Sequence, residues 1–375
     1  MSQPIGANSP AMTPVKRVAN TPENLDRLEA EATKDGKPSI IAKQGNDLLL
    51  LSGAYRTESK AARLSEDEAI SKGDTLEVDS KAAEVLSTDD GFKEIDLSAV
   101  TVAVIDTGVQ VDHPALKGSV ILPGFNAKTG DGDVTDKSGH GTHVAGIIAG
   151  ALPEQGVEGL AQGATLLPIK HGVGSTGNSN TMERLADAIR YAVDHGAKVI
   201  NISNGIPMNK WLMKLIHEDK KPLVDEALRY AEAKGVVVVV AAGNRGGTDS
   251  ADDNVSYPAT HPTVIAVSNL DDTHPKKGLD LKDSSSTGPA VDLAAPGTEI
   301  ASSFPKNKVK ELSGTSMAAP FVTGVVTQII ARHPDWTPAQ IREHLYKTAT
   351  DLGEAGQDIR FGHGAVDPIR AVFSE

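Results

Sequence analysis

The sequence predicts an α/β protein built on a doubly wound, mostly parallel sheet, with a small α+β unit ahead of it. Three observations carry this. Apolar runs recur as continuous rather than alternating stretches, as strands buried on both faces require. Amphipathic helical patterns separate these runs, so strands and helices alternate along the chain. With 39% hydrophobic residues, 3% aromatic and no cysteine in 375 residues, the core must be aliphatic and held by packing alone.

Residues 1–20 are Pro, Ser, Asn and Ala without periodicity and read as a disordered tail. Residues 21–98 form the α+β unit. Thr21 as N-cap and Pro22 at the first helical position open a helix to about Thr33. PSIIAK then pairs with DLLLLS across Gln44-Gly45-Asn46, and DTLEV pairs with AAEVLS across Asp79-Ser80, with a polar helical stretch over 58–71 between the hairpins. The large domain spans 99–375. Its strands are TVAVI (101–105), TLLPI (165–169), KVINI (198–202), VVVVVAA (236–242) and TVIAV (263–267). Met182, Leu185, Ala186, Ile189 and Val193 mark one helix before Gly196; Leu223, Ala227, Leu228 and Ala231 mark another before Gly235. Further helices start at about Ser316 and at Thr337-Pro338-Ala339-Gln340, a capping box.

Charge and composition exclude several classes. A net charge of −13 repels phosphate backbones and anionic lipid, and no basic patch offsets it, so neither nucleic acid nor membrane is an expected partner. The absence of cysteine removes thiolate-ligated zinc, iron–sulfur clusters and a cysteine nucleophile. The opening MSQPIGANSPAMTPVKRVAN lacks the apolar core of a secretory leader, which favours a cytoplasmic location and leaves secretion open.

In an open parallel sheet, reactive groups gather where strands end and helices begin. Three places fit. TVAVI runs into Asp106-Thr107-Gly108; Gly139-His140-Gly141-Thr142-His143 opens the helix VAGIIAGA; and Ser313-Gly314-Thr315-Ser316 opens another. Singly, each has a plain structural reading as turn, packing or N-cap residue. Together they supply a carboxylate, an imidazole and a hydroxyl, the set that lets a hydroxyl attack a carbonyl near neutral pH. Spacing alone leaves open whether they meet.

A rival class comes from Gly172-Val173-Gly174-Ser175-Thr176-Gly177, which matches G-x-G-x-x-G between a strand and a helix. A dinucleotide-binding oxidoreductase would also need an acid at the end of the next strand. That strand runs into Ser203-Asn204-Gly205 instead, and Asp194 falls in the preceding helix turn, so the ribose has no partner.

The segments VAVIDTGVQVDHP, GHGTHVAG, AAGN and GTSMAAP, in that order, resemble the four signature segments of the subtilisin-like (S8) serine proteases, and the resemblance covers residues 100–372. It implies a serine endopeptidase acting through an acyl-enzyme. By position, Ser316 becomes the nucleophile, His140 the base and Asp106 the carboxylate that orients it, with His143 left as a packing residue. Asn244 becomes the side-chain donor of an oxyanion hole completed by the Ser316 N–H, assisted by Thr315, while Gly314 leaves room for substrate backbone. Gly172, Gly174 and Ser175 form one extended edge and Ser203, Asn204 and Gly205 a second, between which a peptide adds as a strand; Gly243 lies beside them. Arg245, next to Asn244, falls where the first specificity pocket is expected and suggests tolerance of acidic residues there. A catalytically silent peptide-binding protein of the same fold is the alternative.

Several features depart from the family pattern. Ala115 and Leu152-Pro153 stand where many relatives place calcium ligands. Asp131, Asp133 and Asp136 are close enough in sequence to hold calcium, or to form a solvated acidic loop, so calcium is possible but unassigned and no cofactor is required. Residues 206–221 look like an insertion in which Trp211, Leu212 and Leu215 either contact a partner or pack locally. Residues 21–98 occupy the place of an inhibitory propeptide but start with a helix, which leaves a retained adaptor as the competing reading.

Overall fold

The computed structural model describes residues 13–19, 39–44, 47–52, 96–171, 181–205, 221–246, 253–271 and 280–373. The chain divides into two compact units, one of residues 1–95 with 373–375 and one of residues 96–372.

In the first unit, β1 (Thr13–Ala19), β2 (Ser39–Gln44) and β3 (Asp47–Ser52) form an antiparallel sheet in the order β1-β3-β2. β2 and β3 are the expected hairpin, in register from Ser39 opposite Ser52 to Gln44 opposite Asp47. β1 corrects the reading of 1–20 as a disordered tail. A polar stretch without periodicity cannot nucleate structure alone, but the open edge of β3 supplies backbone partners for it. The expected helix from Thr21 and the second hairpin lie outside the described residues.

The second unit follows the predicted alternation. In chain order its elements begin β4 (Thr101–Asp106), β5 (Phe125–Asn126), α1 (His140–Ala149), β6 (Ala151–Leu152), β7 (Val157–Glu158) and β8 (Thr165–Lys170). They continue α2 (Thr181–Asp194), β9 (Val199–Ile202), α3 (Lys221–Ala233), β10 (Val237–Ala241), β11 (Val264–Asp271), β12 (Asp280–Leu281) and β13 (Leu293–Pro296). The last are β14 (Ile300–Phe304), β15 (Lys308–Leu312), α4 (Thr315–Arg332), α5 (Pro338–Thr348) and α6 (Pro368–Phe373). An eight-stranded sheet runs β12-β11-β10-β9-β4-β8-β5, with β13 also on β11, and only the β11–β12 pair is antiparallel. The capping box at the start of α5 forms as predicted, Thr337 and Gln340 each bonding the other's backbone.

Helices cover both faces. α2 and α3 pack together on one, and α1 and α4 on the other. Strand alternation divides the side chains between them. Ala103, Ile105, Leu167, Ile169, Ile200, Ile202, Val238 and Val240 join Leu185, Ile189, Ala227 and Leu228 in one buried cluster on the α2–α3 side. Asp106 is in phase with Val102 and Val104, and Ser203 with Asn201, so these polar groups face α1 and α4. That parity positions the site. The hairpin β14–β15 was not foreseen; it packs on α1, with the Ser302 and Ser303 hydroxyls donating to the His143 and Thr142 carbonyls. Among the described residues, no helix is long and apolar enough to cross a membrane.

Candidate active site

Asp106 ends β4 with its side chain fully buried. Its Oδ1 accepts the Thr107 N–H at 2.7 Å and lies 2.7 Å from Nδ1 of His140, the first residue of α1. The two segments meet because Gly141 has no side chain: a Cβ there would sit 2.1 Å from the Gly108 carbonyl oxygen. Thr107 ties them together further, its hydroxyl accepting the Gly141 N–H and donating to Asp136. Burial works against a charged His140 ring, but the charge and hydrogen bond of Asp106, with Asp136 behind, outweigh it and hold the pKa above the ordinary 6.5.

Ser316 is the second residue of α4, whose first N–H groups have no partners within the helix. Gly314 precedes it with φ 145°, and a Cβ there would press within 3.0 Å of Asn244 Nδ2. The room Gly314 provides is thus room for Asn244 as well as for substrate. Asn244 follows β10; its Oδ1 accepts both the N–H and the hydroxyl of Thr315, at 3.0 and 3.2 Å. Thr315 is buried, and its hydroxyl also accepts the Gly243 N–H. Thr315 therefore acts on Asn244, fixing the amide by its oxygen and leaving Nδ2 toward the cleft.

The tail of β9 closes the arrangement. The Ser316 hydroxyl donates to the Ser203 carbonyl at 2.9 Å, and the Ser203 hydroxyl donates to the Ser316 carbonyl at 2.9 Å. Ser203 is held in turn by Asn201, whose Oδ1 accepts the Thr323 hydroxyl of α4. Thr107, Ser138, His140, Ser203, Asn204, Gly205, Gly243, Asn244, Arg245, Ser256, Thr315 and Ser316 line one cavity of about 320 Å³. Sequence reasoning missed Thr107, Ser138 and Ser256. The gap between Gly205 and Gly243 is filled by Ser256, whose side chain lies within 2.6 Å of where either glycine would carry a Cβ. Gly172, Gly174 and Ser175, and the insertion with Trp211, Leu212 and Leu215, lie outside the described residues.

His143 is fully buried, and its Nε2 bonds the Ile300 and Lys310 carbonyls of the β14–β15 hairpin at 3.0 and 2.9 Å. Burial drives its pKa down to about 4, keeping the ring neutral. Asp131 and Asp133 each accept a backbone N–H two residues on, and both Asp136 oxygens are occupied by donors from Thr107, Ser138, Gly139 and Thr142. Among the described residues, no group of three or more His, Cys, Asp or Glu could hold a metal ion. Asp194, the last residue of α2, accepts the Tyr230 hydroxyl.

The Peptidase S8 model of the subtilase family matches residues 98–364. The chain is 35% identical to subtilisin DY of Bacillus licheniformis over 72% of its own length and 89% of that protein. It is 36% identical to subtilisin E of Bacillus subtilis over 72% of its own length, a match that spans 65% of that relative. Among solved structures, MycP1 with its N-terminal propeptide removed superposes with a TM-score of 0.62 at 30% identity, over 75% of this chain and 94% of that one. These matches take in the stretch that brings Asp106, His140, Asn244 and Ser316 to one rim of the sheet, and the chain belongs to the subtilase family of serine endopeptidases.

Proposed function

We propose that Asp106, His140 and Ser316 are the residues that hydrolyse the peptide bond. The observation that carries this is the 2.7 Å contact between Asp106 Oδ1 and His140 Nδ1, on a ring that lines the same cavity as Ser316. With Nδ1 committed to Asp106, the ring offers Nε2 to the cleft in the tautomer that accepts a proton. The Ser316 Oγ–H leaves the Ser203 carbonyl and gives its proton to His140 as the oxygen attacks the scissile carbonyl. Collapse of the tetrahedral intermediate expels the amine, which takes the proton from His140, and leaves an acyl-enzyme on Ser316. Water, deprotonated by the same ring, attacks the acyl carbon; the ester bond to Ser316 Oγ breaks, the ring returns the proton to Oγ, and the acid product leaves. Asp106 offsets the charge of the imidazolium at both steps.

We place the oxyanion beside the N-terminus of α4, with the Ser316 N–H and the Asn244 Nδ2 as its donors, where the helix dipole favours negative charge. The main chain of Ser203, Asn204 and Gly205, which lines the cavity, is the edge to which we take a substrate strand to add. Arg245, exposed at the cavity, suits an acidic residue just before the scissile bond; a substrate library that returns only large apolar residues there removes this assignment. Residues 21–98 we read as a propeptide cut away by the enzyme itself. In support, the unit boundary falls at residue 96 and a structural relative is described with its propeptide removed. A mature species starting near residues 90–100, absent in Ser316→Ala, is expected; a stable, active full-length chain would make the unit a retained adaptor.

A fluorophosphonate probe tests the central reading. It should modify Ser316 in the wild type and leave Ser316→Ala and His140→Ala unmodified. A folded wild type that stays unlabelled would overturn the assignment in favour of a silent peptide-binding protein.

A further inference from the structure

Ser203 and Asn204 form one dipeptide, and between them they reach both ends of the catalytic set. Ser203 exchanges hydrogen bonds with Ser316, as described. Asn204 turns the other way, and its Nδ2 donates to Asp106 Oδ2 at 3.1 Å. The partner oxygen, Oδ1, is already occupied by His140 Nδ1 and the Thr107 N–H. An amide oxygen in the place of Nδ2 would face a carboxylate oxygen, so only the amino group can bond there. The sequence assigns Asn204 to the substrate edge through its main chain; nothing in that reading uses the side chain.

We propose that Asn204 is a positioning residue for hydrolysis, whose side-chain amide holds Asp106 Oδ2 so that Oδ1 stays directed at His140 Nδ1. This rests on the triad assignment above. Rotation about the last bond of an aspartate is soft and two-fold, so donors on one oxygen alone define its orientation poorly. A second donor from a neighbouring strand removes that freedom. It also draws off part of the carboxylate charge that His140 feels. Asp106 is fully buried, so solvent does not supply this oxygen with a donor in place of the amide.

The charged and titratable groups around His140 are Asp106 from β4, Asp136 from the loop before α1 and His143 one turn along it, with Lys310 of β15 beside His143. His171, at the end of β8, faces Asp106, with Arg184 of α2 near it, and Arg245 lines the cleft after β10. None is altered by substituting Asn204, so a displaced pH profile would report the amide.

The test uses the full chain carrying Asn204→Ala or Asn204→Asp. Asparagine and aspartate match in size, so the second variant reports even where alanine disturbs the loop. Sites are counted by fluorophosphonate labelling at Ser316, and kcat and KM for a peptide substrate are measured from pH 5 to 9. For Asn204→Ala we expect labelling to persist, kcat to fall about tenfold with KM within about twofold, and the acid limb of kcat/KM to move up by about half a pH unit. Asn204→Asp should move the limb further the same way, because a second negative charge then faces Asp106. Variants labelled at Ser316 whose pH limbs superimpose on the wild type, or whose loss lies in KM alone, would overturn the role of Asn204. An unlabelled folded wild type would instead sink the triad itself.

Discussion

Asn244 is tied down at its acceptor end by Thr315 and left with its donor end over the cleft. An amide so held does not have to reorient as charge develops on the substrate oxygen, which is the condition for strong electrostatic stabilisation. Asn244→Ala should lower kcat by about 10² to 10³ with KM little changed, the size known for the corresponding donor in subtilisin and expected here by kinship. Thr315→Val, which keeps the volume but loses the hydroxyl, should give a smaller loss of the same kind. Steady-state kinetics on one peptide substrate checks both. His140 gives the pH prediction. In the proposed mechanism its neutral form is the base, and Asp106 with Asp136 hold the pKa above 6.5 against burial. Activity should therefore rise with pH through a midpoint above 6.5 and be lost below it; a kcat/KM profile with its acid limb under 6.5 would contradict this.

The helix α1 and the hairpin β14–β15 form one piece through His143. Its neutral Nε2–H serves two backbone carbonyls of the hairpin, and its depressed pKa carries a stability consequence. Between pH 6.5 and about 4 the unfolded chain binds a proton that the folded ring refuses, so stability falls as pH drops through that window. His143→Gln keeps a donor without a titrating ring and should make this decline shallower, while His143→Ala should cost about 2–3 kcal/mol at neutral pH. Thermal melts of the three proteins from pH 4 to 7 decide it. The strands and helices of the large domain were legible because continuous apolar runs and 3.6-residue periodicity are local signals. The hairpin was not. IASSF and KVKEL carry weak alternation, and their three-residue turn uses positive φ at Lys306 and Asn307 without the glycine that would announce it.

Across the whole unit, the sheet is joined to the C-terminal segment at Asp292, ahead of β13. Its carboxylate accepts the Ala266 N–H of β11 and the Tyr346 hydroxyl of α5, and burial raises its pKa to about 6. The sign is opposite to that of His143. The folded state holds the proton more tightly, so this group's contribution is present below the ordinary carboxylate range and is lost as pH rises through about 6. Asp292→Asn, whose amide can serve both partners, should raise stability at pH 8 by about 2 kcal/mol, allowing for screening at its partly exposed edge, and leave it unchanged near pH 4. Melting curves at the two pH values test this. At the same scale, the placing of Asp106, His140, Asn244 and Ser316 around one cleft was readable because each sits at a strand end or helix start within a recognisable segment. The turn of Asn204 toward Asp106, the grip of Thr315 on Asn244 and the Ser256 wall were not, since they are contacts between different segments, 98 positions apart for the first and 71 for the second.

At rest the Ser316 hydroxyl proton is lent to main chain, the carbonyl of Ser203. No side-chain replacement can delete that acceptor; changing Ser203 to alanine would remove the bonds of its hydroxyl to the Ser316 carbonyl and to the Asn201 amide, and leave this one. The idle posture of the hydroxyl is therefore a property of the backbone path, and any descendant sequence that preserves the path inherits it.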